Sequence, residues 1–209
     1  MSETRVAVVD YGRGNLYSIE GALRKLGCDV QVTSDPAAIE AAPRLILPGV
    51  GAFGDGMEGL RQRGLIEPLK RFRASGRPLL GICLGMQLLL EEGSEFGRHE
   101  GLGLIPGRVV RFASAGDFKI PHVGWNRLKP AADWAGTPLG GLPAGSFMYF
   151  VHSYVAEPAR SEDRLAMTPY AGGEFCSALR SGNVHGCQFH PEKSGETGLW
   201  LMKNWLALN

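Results

Sequence analysis

The sequence has little of what marks exported or membrane proteins. Its 209 residues contain four cysteines, at positions 28, 83, 176 and 187, and no two of them have CxxC spacing. No charged start is followed by a long apolar run, so no signal peptide is evident, and we expect a cytoplasmic protein with free thiols. The longest mostly apolar stretch without charge, residues 79–90, is too short to span a bilayer.

The sequence also lacks an excess of charge of either sign. Lys and Arg number 22 against 21 for Asp and Glu, which gives a formal net charge of +1. A nucleic-acid-binding domain usually carries a basic excess or stripe, so that class is disfavoured. The hydrophobic fraction of 44%, with 30 glycines and 13 prolines, is that of a folded, loop-rich chain. At this length we expect a single domain over residues 1–209.

The apolar pattern differs between the two halves of the sequence. In the first half, strand-like runs at 5–9, 29–33, 44–48 and 78–82 alternate with helical spacing at 15–26, at 58–74 and directly after Cys83. This alternation predicts an α/β fold with a central, mostly parallel sheet flanked by helices. The second half has strand-like runs at 107–112, 146–155, 164–170, 174–180 and 184–189, then a helical pattern at 197–208. Because helices are missing between these runs, we expect antiparallel strands in the C-terminal half.

The sharpest local signal is the heptapeptide GICLGMQ, residues 81–87. Cys83 lies between a strand-like run and a helical segment, with one glycine two residues before it and another two residues after it. This is the arrangement of a nucleophile elbow, a tight strand-to-helix turn that needs small neighbours. The start of the following helix favours a thiolate through its unpaired N–H groups. Cys83 is therefore the candidate nucleophile; the alternative is a buried structural cysteine beside two packing glycines.

The second signal is QFHPEKS, residues 188–194. In an extended segment His190 and Glu192 point to the same side, so the carboxylate can hold the imidazole and fix its tautomer. Pro191 cannot donate to a sheet ladder, which indicates that a strand ends here. A His near a Glu is usually a solvated pair, but together with the elbow it predicts a Cys–His–Glu triad.

A third signal is PGVGAFGDGM, residues 48–57, directly after a predicted strand. Its four glycines leave exposed N–H groups that suit an anion. The segment lacks the GK[ST] ending of a P-loop and the GxGxxG spacing of a dinucleotide site. An oxyanion-stabilising turn therefore fits it better than nucleotide binding does.

Zinc is the competing chemistry. His185, Cys187 and His190 lie within six residues, and Cys83 could be a fourth ligand. On a strand, His185 and Cys187 share one face while His190 points to the other, and no second close pair of ligands completes a tetrahedral site. We therefore expect no metal.

GICLGMQ, the PGVG loop and HPE, in this order, resemble the class I (triad) glutamine amidotransferases. Within that class, DYGRGNLYS, PGVGAF, KIPHVGWN, MYFVHSY and QFHPEKS resemble the glutaminase subunits of imidazole glycerol phosphate synthase. The resemblance runs from about residue 5 to the C-terminus, but residues 129–145 match no segment of it.

The resemblance implies a glutaminase that needs no cofactor. Cys83 would attack the side-chain amide of glutamine, His190 would carry the proton to the leaving ammonia, and Glu192 would orient His190. The implied oxyanion donors are N–H groups of Val50, Gly51 and Leu84. The implied glutamine-binding residues are Gly51, Gln87, Ser153 and Tyr154.

The resemblance also implies a partner. Ammonia would pass to the cyclase subunit of a heterodimer, which forms imidazole glycerol phosphate and an aminoimidazole carboxamide ribotide in histidine biosynthesis. The cyclase would dock over Cys83 and switch the glutaminase on, most simply by reorienting the Val50–Gly51 peptide. The contact residues implied are Tyr11, Asn15, Trp125, Tyr149 and Lys193.

Three other functions are weighed against this one. A glutaminase subunit of the vitamin B6 or anthranilate type shares the triad but is expected to lack KIPHVGWN. A cysteine peptidase of similar fold would use an elbow without needing HPE. A non-enzymatic binding module is disfavoured because it has no use for all three triad members.

Overall fold

The computed structural model describes residues 4–112 and 118–208, so residues 1–3, 113–117 and 209 of the predicted domain lie outside it. The strands are β1 (Thr4–Val9), β2 (Cys28–Thr33), β3 (Leu45–Leu47), β4 (Leu79–Ile82), β5 (Glu92–Gly93), β6 (His99–Glu100), β7 (Gly107–Arg111), β8 (His122–Arg127), β9 (Lys129–Pro130), β10 (Phe147–His152), β11 (Tyr154–Pro158), β12 (Arg164–Tyr170), β13 (Gly173–Ser181) and β14 (Val184–Cys187). The helices are α1 (Leu16–Lys25), α2 (Pro36–Ala41), α3 (Phe53–Gln62), α4 (Ile66–Ala74), α5 (Leu84–Leu88) and α6 (Gly195–Leu206). Short 3₁₀ turns lie at Ser161–Asp163 and Pro191–Lys193.

Twelve of these strands form one sheet whose two parts differ in direction. The order is β2-β1-β3-β4-β14-β13-β11-β7-β5-β6, with β12 and β9 attached beside β13. Neighbours from β2 to β14 run parallel, whereas β14-β13, β13-β11 and β11-β7 are antiparallel. The structure therefore confirms the predicted α/β fold, with antiparallel strands added in the C-terminal half.

The parallel part of the sheet brings the three sequence signals together. Every residue of β3, β4 and β14 is buried, as expected for parallel strands covered on both faces. These three strands are neighbours, so their carboxyl ends meet at one edge of the sheet. The segments that leave this edge are residues 48–51 after β3, Cys83 after β4 and residues 188–192 after β14.

Two predicted elements are broken in the structure. The helix predicted over 58–74 is two helices, α3 and α4, separated at Gly64, whose left-handed φ of 66° ends the first helix. The strand predicted over 146–155 is interrupted at Ser153, and its two parts, β10 and β11, belong to different sheets. In both places the apolar periodicity continues across the break, which is why the sequence pattern misses it.

Helix α5 is shorter than the helical pattern after Cys83 predicts. It ends at Leu88. The carbonyl groups of Leu88 and Leu89 accept hydrogen bonds from the N–H groups of Leu102 and Leu104, both at 2.9 Å. Bonds from a distant segment thus replace those that would continue the helix, and tertiary contacts override the local propensity.

Strands β8 and β10 form a separate antiparallel pair. The inner face of this pair, with His122, Met148, Phe150 and His152, is buried. The segment 129–145, which matches no motif, is packed on the fold: Trp134 is buried and its Nε1 donates to the Leu165 carbonyl at 2.9 Å. No helix in residues 4–112 or 118–208 is long and apolar enough to cross a membrane.

Candidate active site

Cys83 lies in the tight turn between β4 and α5, where the elbow pattern predicts it. Its φ of 54° and ψ of −112° are a strained conformation for a residue with a Cβ, and such strain persists only where the surroundings hold it. The Cys83 N–H donates to the Cys187 carbonyl at 2.8 Å, and its carbonyl accepts from the Gln87 N–H at 3.2 Å. The turn is therefore anchored to β14 on one side and to α5 on the other.

Close backbone packing fixes the elbow from below. A Cβ on Gly85 would lie 1.8 Å from the main-chain oxygen of Leu47, and one on Gly81 would lie 2.8 Å from the oxygen of Gly85. Both positions therefore need glycine. The Cys83 residue is only 7% exposed because it faces a cavity instead of the open surface.

His190 and Glu192 form a buried pair directly after β14. His190 has an extended backbone, as the sequence predicts, but Glu192 lies in the 3₁₀ turn that follows it; Glu192 Oε1 is nevertheless 2.8 Å from His190 Nδ1. Their side chains are 2% and 0% exposed. Among the described residues, Nε2 of His190 has no hydrogen-bond partner. The carboxylate thus holds one ring nitrogen and leaves the other for a reacting group.

The charge on His190 depends on its two neighbours. Burial by itself lowers the pKa of His190, but Cys83 as a thiolate and the Glu192 carboxylate outweigh burial and raise the pKa to about 10. An imidazolium beside a thiolate is the charge state in which a proton is ready for a leaving amine.

The other cysteines have different surroundings. Burial is the main cause that raises the pKa of Cys28, that raises the pKa of Cys176 to about 12, and that raises the pKa of Cys187 well above its usual value. These three side chains are therefore protonated at neutral pH. No group of three or more His, Cys, Asp and Glu side chains within the described residues could hold a metal ion.

A cavity of about 550 Å³ lies in front of Cys83 and His190, a size typical of small-molecule sites. Its walls include all the residues that the resemblance assigns to the oxyanion and to glutamine, namely Val50, Gly51, Leu84, Gln87, Ser153 and Tyr154. They come from the loop after β3, from α5 and from the junction of β10 with β11. The fold thus brings together residues that are up to about 140 positions apart in the sequence.

Six cavity residues have no role in the sequence predictions: Ala52, Glu95, Phe96, Pro121, Val151 and His152. Glu95 Oε2 accepts the N–H of Phe53 at 2.9 Å, at the start of α3. The local sequence around Glu95 does not distinguish it from an ordinary solvent-exposed glutamate. His152 stands in MYFVHSY, where a satisfied buried histidine is the ordinary interpretation, and only the fold reveals that it lines the cavity.

The five residues predicted at a partner contact differ in exposure. Trp125 is 55% exposed and Lys193 is exposed, while Asn15 and Tyr149 are half-buried. Tyr11 requires a correction: it is 1% exposed, and its hydroxyl donates to the Pro48 carbonyl at 2.7 Å. Its side chain supports the loop after β3 from inside and is not available to a partner.

A larger cavity, of about 930 Å³, lies over β7, β11 and β13 and contains none of these predicted side chains. Charged groups in its wall pair with one another, Arg108 with Glu157 at 2.9 Å and Arg98 with Glu92 at 2.6 Å. The cysteine in its wall, Cys176, is protonated because burial raises its pKa to about 12, so the smaller cavity is the candidate active site.

The chain is similar to known proteins over nearly its whole length. The sequence profile of the family described as "Glutamine amidotransferase class-I" matches residues 7–207. The chain is 49% identical to "Imidazole glycerol phosphate synthase subunit HisH 1" of Legionella pneumophila (strain Lens), covering 97% of this chain and 99% of that protein. It is 50% identical to the subunit HisH of Rhodopirellula baltica, covering 96% of each. Among solved structures, PurLQS from Thermotoga maritima superposes with a TM-score of 0.77 at 21% identity over 99% of each chain.

Proposed function

The chain belongs to the class-I glutamine amidotransferase family, and on that premise we propose that it is the glutaminase subunit of an imidazole glycerol phosphate synthase. Relatives of that description, about half identical over nearly the whole chain, support the proposal. The single observation that carries the chemistry is that Cys83 and His190 line one cavity and that Glu192 holds the Nδ1 of His190.

The first half of the proposed reaction transfers the glutamyl group to Cys83. The thiolate attacks the side-chain amide carbon of glutamine, and a C–S bond forms as the carbonyl oxygen becomes an oxyanion. N–H groups of Val50, Gly51 and Leu84, which line the cavity, stabilise this oxyanion. His190 gives its Nε2 proton to the amide nitrogen, the C–N bond breaks, and ammonia leaves.

The second half returns the enzyme to its starting state. Water attacks the thioester carbon while His190 Nε2 takes the proton of the water. The C–S bond breaks, glutamate leaves, and Cys83 is again a thiolate. Glu192, through its 2.8 Å contact with Nδ1, keeps Nε2 directed at the reacting atoms in both halves.

Glu95 is the proposed counterion for the α-ammonium group of glutamine. It lines the cavity, and its contact with the Phe53 N–H fixes one carboxylate oxygen. The second oxygen then remains for the substrate, and a cation near a carboxylate is a strong, charge-assisted contact. Gly51, Gln87, Ser153 and Tyr154 are proposed to bind the rest of the amino acid.

The proposed partner is the cyclase subunit of the synthase, in a heterodimer. The outer face of the β8–β10 pair supports a docking site because, beside Arg127 at its end, it exposes four apolar side chains: Val123 by 56%, Trp125 by 55%, Phe147 by 54% and Val151 by 37%. Contiguous apolar exposure of this kind marks protein–protein interfaces. Val151 also lines the cavity, so this face is continuous with its mouth.

The same face is hydrogen-bonded to the proposed catalytic segment. The ring of Tyr149 lies 6.1 Å from that of Trp125, and the Tyr149 carbonyl accepts the His190 N–H at 2.9 Å. Ser194 Oγ accepts the Tyr149 N–H at 3.0 Å and donates to the His190 carbonyl at 2.6 Å. A protein that presses on Trp125 and Tyr149 therefore acts on the backbone that carries His190.

The test is glutamate release by the purified chain alone, with a cyclase subunit, and with the cyclase plus its nucleotide ligand. We expect a low rate alone and a rise of about 10²–10³ with the occupied cyclase, the size of a missing oxyanion donor. Full-rate hydrolysis by the lone chain, unchanged by either addition, would contradict the partner. Peptide hydrolysis without glutaminase activity would instead support the peptidase.

A further inference from the structure

Two buried amide side chains, Gln87 and Gln188, stand behind the sulfur of Cys83. Gln87 is 5% exposed and Gln188 is fully buried. Gln87 Nε2 lies 3.0 Å from the carbonyl oxygen of Tyr154 and 2.9 Å from Gln188 Oε1. Gln188 Nε2 lies 3.7 Å from Cys83 Sγ, within the range for an N–H donor and sulfur. The catalytic scheme above gives Gln188 no role.

The carbonyl of Tyr154 determines which way both amides face. A main-chain carbonyl can only accept, so the Gln87 atom beside it must be the NH₂ group. That NH₂ group also meets Gln188, whose facing atom must therefore be the carbonyl oxygen. The remaining end of Gln188, its NH₂ group, is then the end that faces Cys83.

A second donor to the Tyr154 carbonyl oxygen supports this orientation of the Gln87 amide. His152 Nδ1 lies 2.9 Å from the same carbonyl oxygen, so Nδ1 must carry its proton. Burial is the main cause that lowers the pKa of His152 to about 3, and the ring is neutral. Its unprotonated Nε2 then accepts from His122 Nδ1 at 3.1 Å. The Tyr154 oxygen thus accepts from two donors, His152 and Gln87. A Gln87 amide turned by 180° would lose its hydrogen bond to this oxygen.

We propose that Gln188 holds the sulfur of Cys83 in its anionic form by donating an N–H to it, and that Gln87 is the positioning residue that turns this donor towards the sulfur. This inference rests on the proposed function for the identity of the nucleophile. A donated hydrogen bond favours the charged form of the acceptor, and between two buried groups such as Gln188 and Cys83 it is stronger than at the surface.

A competing contact favours the opposite charge state. The Val151 carbonyl oxygen lies 4.0 Å from Cys83 Sγ and can accept only from a protonated thiol. The Gln188 contact is the shorter of the two at 3.7 Å, and it is the one that an anion keeps. The other titratable groups that act on the sulfur are His190, Tyr11 and Cys187.

The test follows the alkylation of Cys83 by iodoacetamide as a function of pH, read on the Cys83 peptide by mass spectrometry. This readout needs neither glutamine nor the cyclase. Gln188→Met keeps the side-chain length without the donor, and all other titratable groups stay in place. We expect its alkylation profile to move about one pH unit upward.

Gln87→Met tests the positioning step. It leaves Gln188 present but free to turn, so its profile should move in the same direction by less. The double variant should move no further than Gln188→Met alone, because both changes remove the same donor. Phe189→Leu is the control for loosened packing, since Phe189 is fully buried next to Gln188 and its side chain has no hydrogen-bond donor. Its profile should match the wild type.

Three outcomes would overturn the inference: a Gln188→Met profile that superposes on the wild type, an equal shift in Phe189→Leu, or additive shifts of the two glutamine variants. If Gln188→Met fails to fold, an unchanged Gln87→Met profile overturns it in the same way. Failure of the proposed function looks different, because a wild-type chain with a reactive Cys83 would then release no glutamate with any cyclase.

Discussion

The two segments on either side of the cavity, the elbow after β4 and the loop after β3, are both rich in glycine but use it differently. At the elbow, a Cβ on Gly85 would lie 1.8 Å from the Leu47 oxygen, so glycine permits close packing. In the loop, a Cβ on Gly51 would meet nothing nearer than Arg13 Nη1 at 3.8 Å, but its φ of 103° is left-handed. There glycine supplies backbone freedom.

The packing around the loop after β3 changes within three residues. A Cβ on Gly49 would lie 2.4 Å from the Tyr11 hydroxyl, so the start of the loop is as tightly packed as the elbow. Val50, one residue later, is 40% exposed. The backbone turn that carries the nucleophile is thus held by close packing, whereas the proposed oxyanion donors at Val50 and Gly51 lie where packing ends. A docking partner can therefore change the loop without disturbing the elbow.

Removal of the nucleophile has the largest expected effect. Cys83→Ala should abolish glutamate release, a loss of about 10⁶ as for other members of a catalytic unit. The fold should remain, because only one sulfur atom leaves the packed elbow. The measurement is glutamate release together with the unfolding midpoint in urea. Hydrolysis close to the wild-type rate would refute the assignment of Cys83.

The base and its orienting group come next. His190→Asn should be more damaging than Glu192→Gln, because the first removes the proton carrier while the second keeps an acceptor for Nδ1. Loss of an orienting carboxylate costs up to about 10⁴ where it fixes the tautomer. Steady-state rates of the two single variants and the double variant measure the ranking. Independent, additive losses would show that the two residues do not act as a unit.

Gly85→Ala tests the packed side of the comparison. The added methyl group overlaps main-chain atoms that cannot move alone, so we expect a loss of about 3 kcal/mol or more in the free energy of unfolding. Denaturation in urea measures it. A variant as stable as the wild type would mean that the elbow is not held by close packing.

Gly51→Ala tests the loop after β3, where a Cβ would find open space. The strained left-handed backbone costs about 1–2 kcal/mol, so the chain should fold. If the alanine shifts the peptide that carries the oxyanion donor, glutamate release with the cyclase should fall by about 10²–10³. Equal activity of this variant and the wild type would show that the loop after β3 does not contribute to catalysis. Gly27→Ala, at another left-handed glycine with open space, is the matched control for strain alone.

The last prediction concerns the effect of acid on three buried histidines. Burial is the main cause that lowers the pKa of His122 and His185 to about 4 and that of His152 to about 3. These rings stay neutral in the folded chain while the unfolded chain protonates them near pH 6.5. The free energy of unfolding should therefore fall as pH drops from about 6.5 to 4, by at most about 1.4 kcal/mol per pH unit for each ring.

Urea unfolding at several pH values measures this slope. His185→Gln removes one of the three rings, on β14 and away from the cavity, and should reduce the slope by about a third. Stability that rises as pH falls through this range would contradict neutral, buried rings.

The sequence predicts the packed side of the site better than the open side. The elbow could be predicted because Gly81, Cys83 and Gly85 are close in sequence and the steric demand is local. The sheet could be predicted because alternating strands and helices leave few ways to bury their apolar faces. Convergence of the three segments then follows from the common direction of parallel strands.

What sequence reasoning misses depends on long-range contacts. Glu95 reaches the cavity only because α5 stops at Leu88 and the chain turns back, which local helical spacing does not reveal. Tyr11 directly precedes a glycine-containing segment, residues 12–15, that is typical of an exposed loop, yet its hydroxyl donates to the Pro48 carbonyl inside the fold. The orientation of the Gln188 amide is determined by the Tyr154 carbonyl, 34 positions away in the sequence, through Gln87.

The most direct test of the central claim compares two reactions of Cys83, with and without the cyclase and its ligand. Alkylation by iodoacetamide forms no oxyanion, so it reports the nucleophile alone, and the reagent is smaller than the glutamine that must enter the same cavity. Glutamate release needs the nucleophile and the oxyanion donors together. If the elbow is preset and the loop is not, the partner should raise glutamate release by about 10²–10³ and leave the alkylation rate within a few-fold. A parallel rise in both rates would contradict the account, because the partner would then be activating the nucleophile itself.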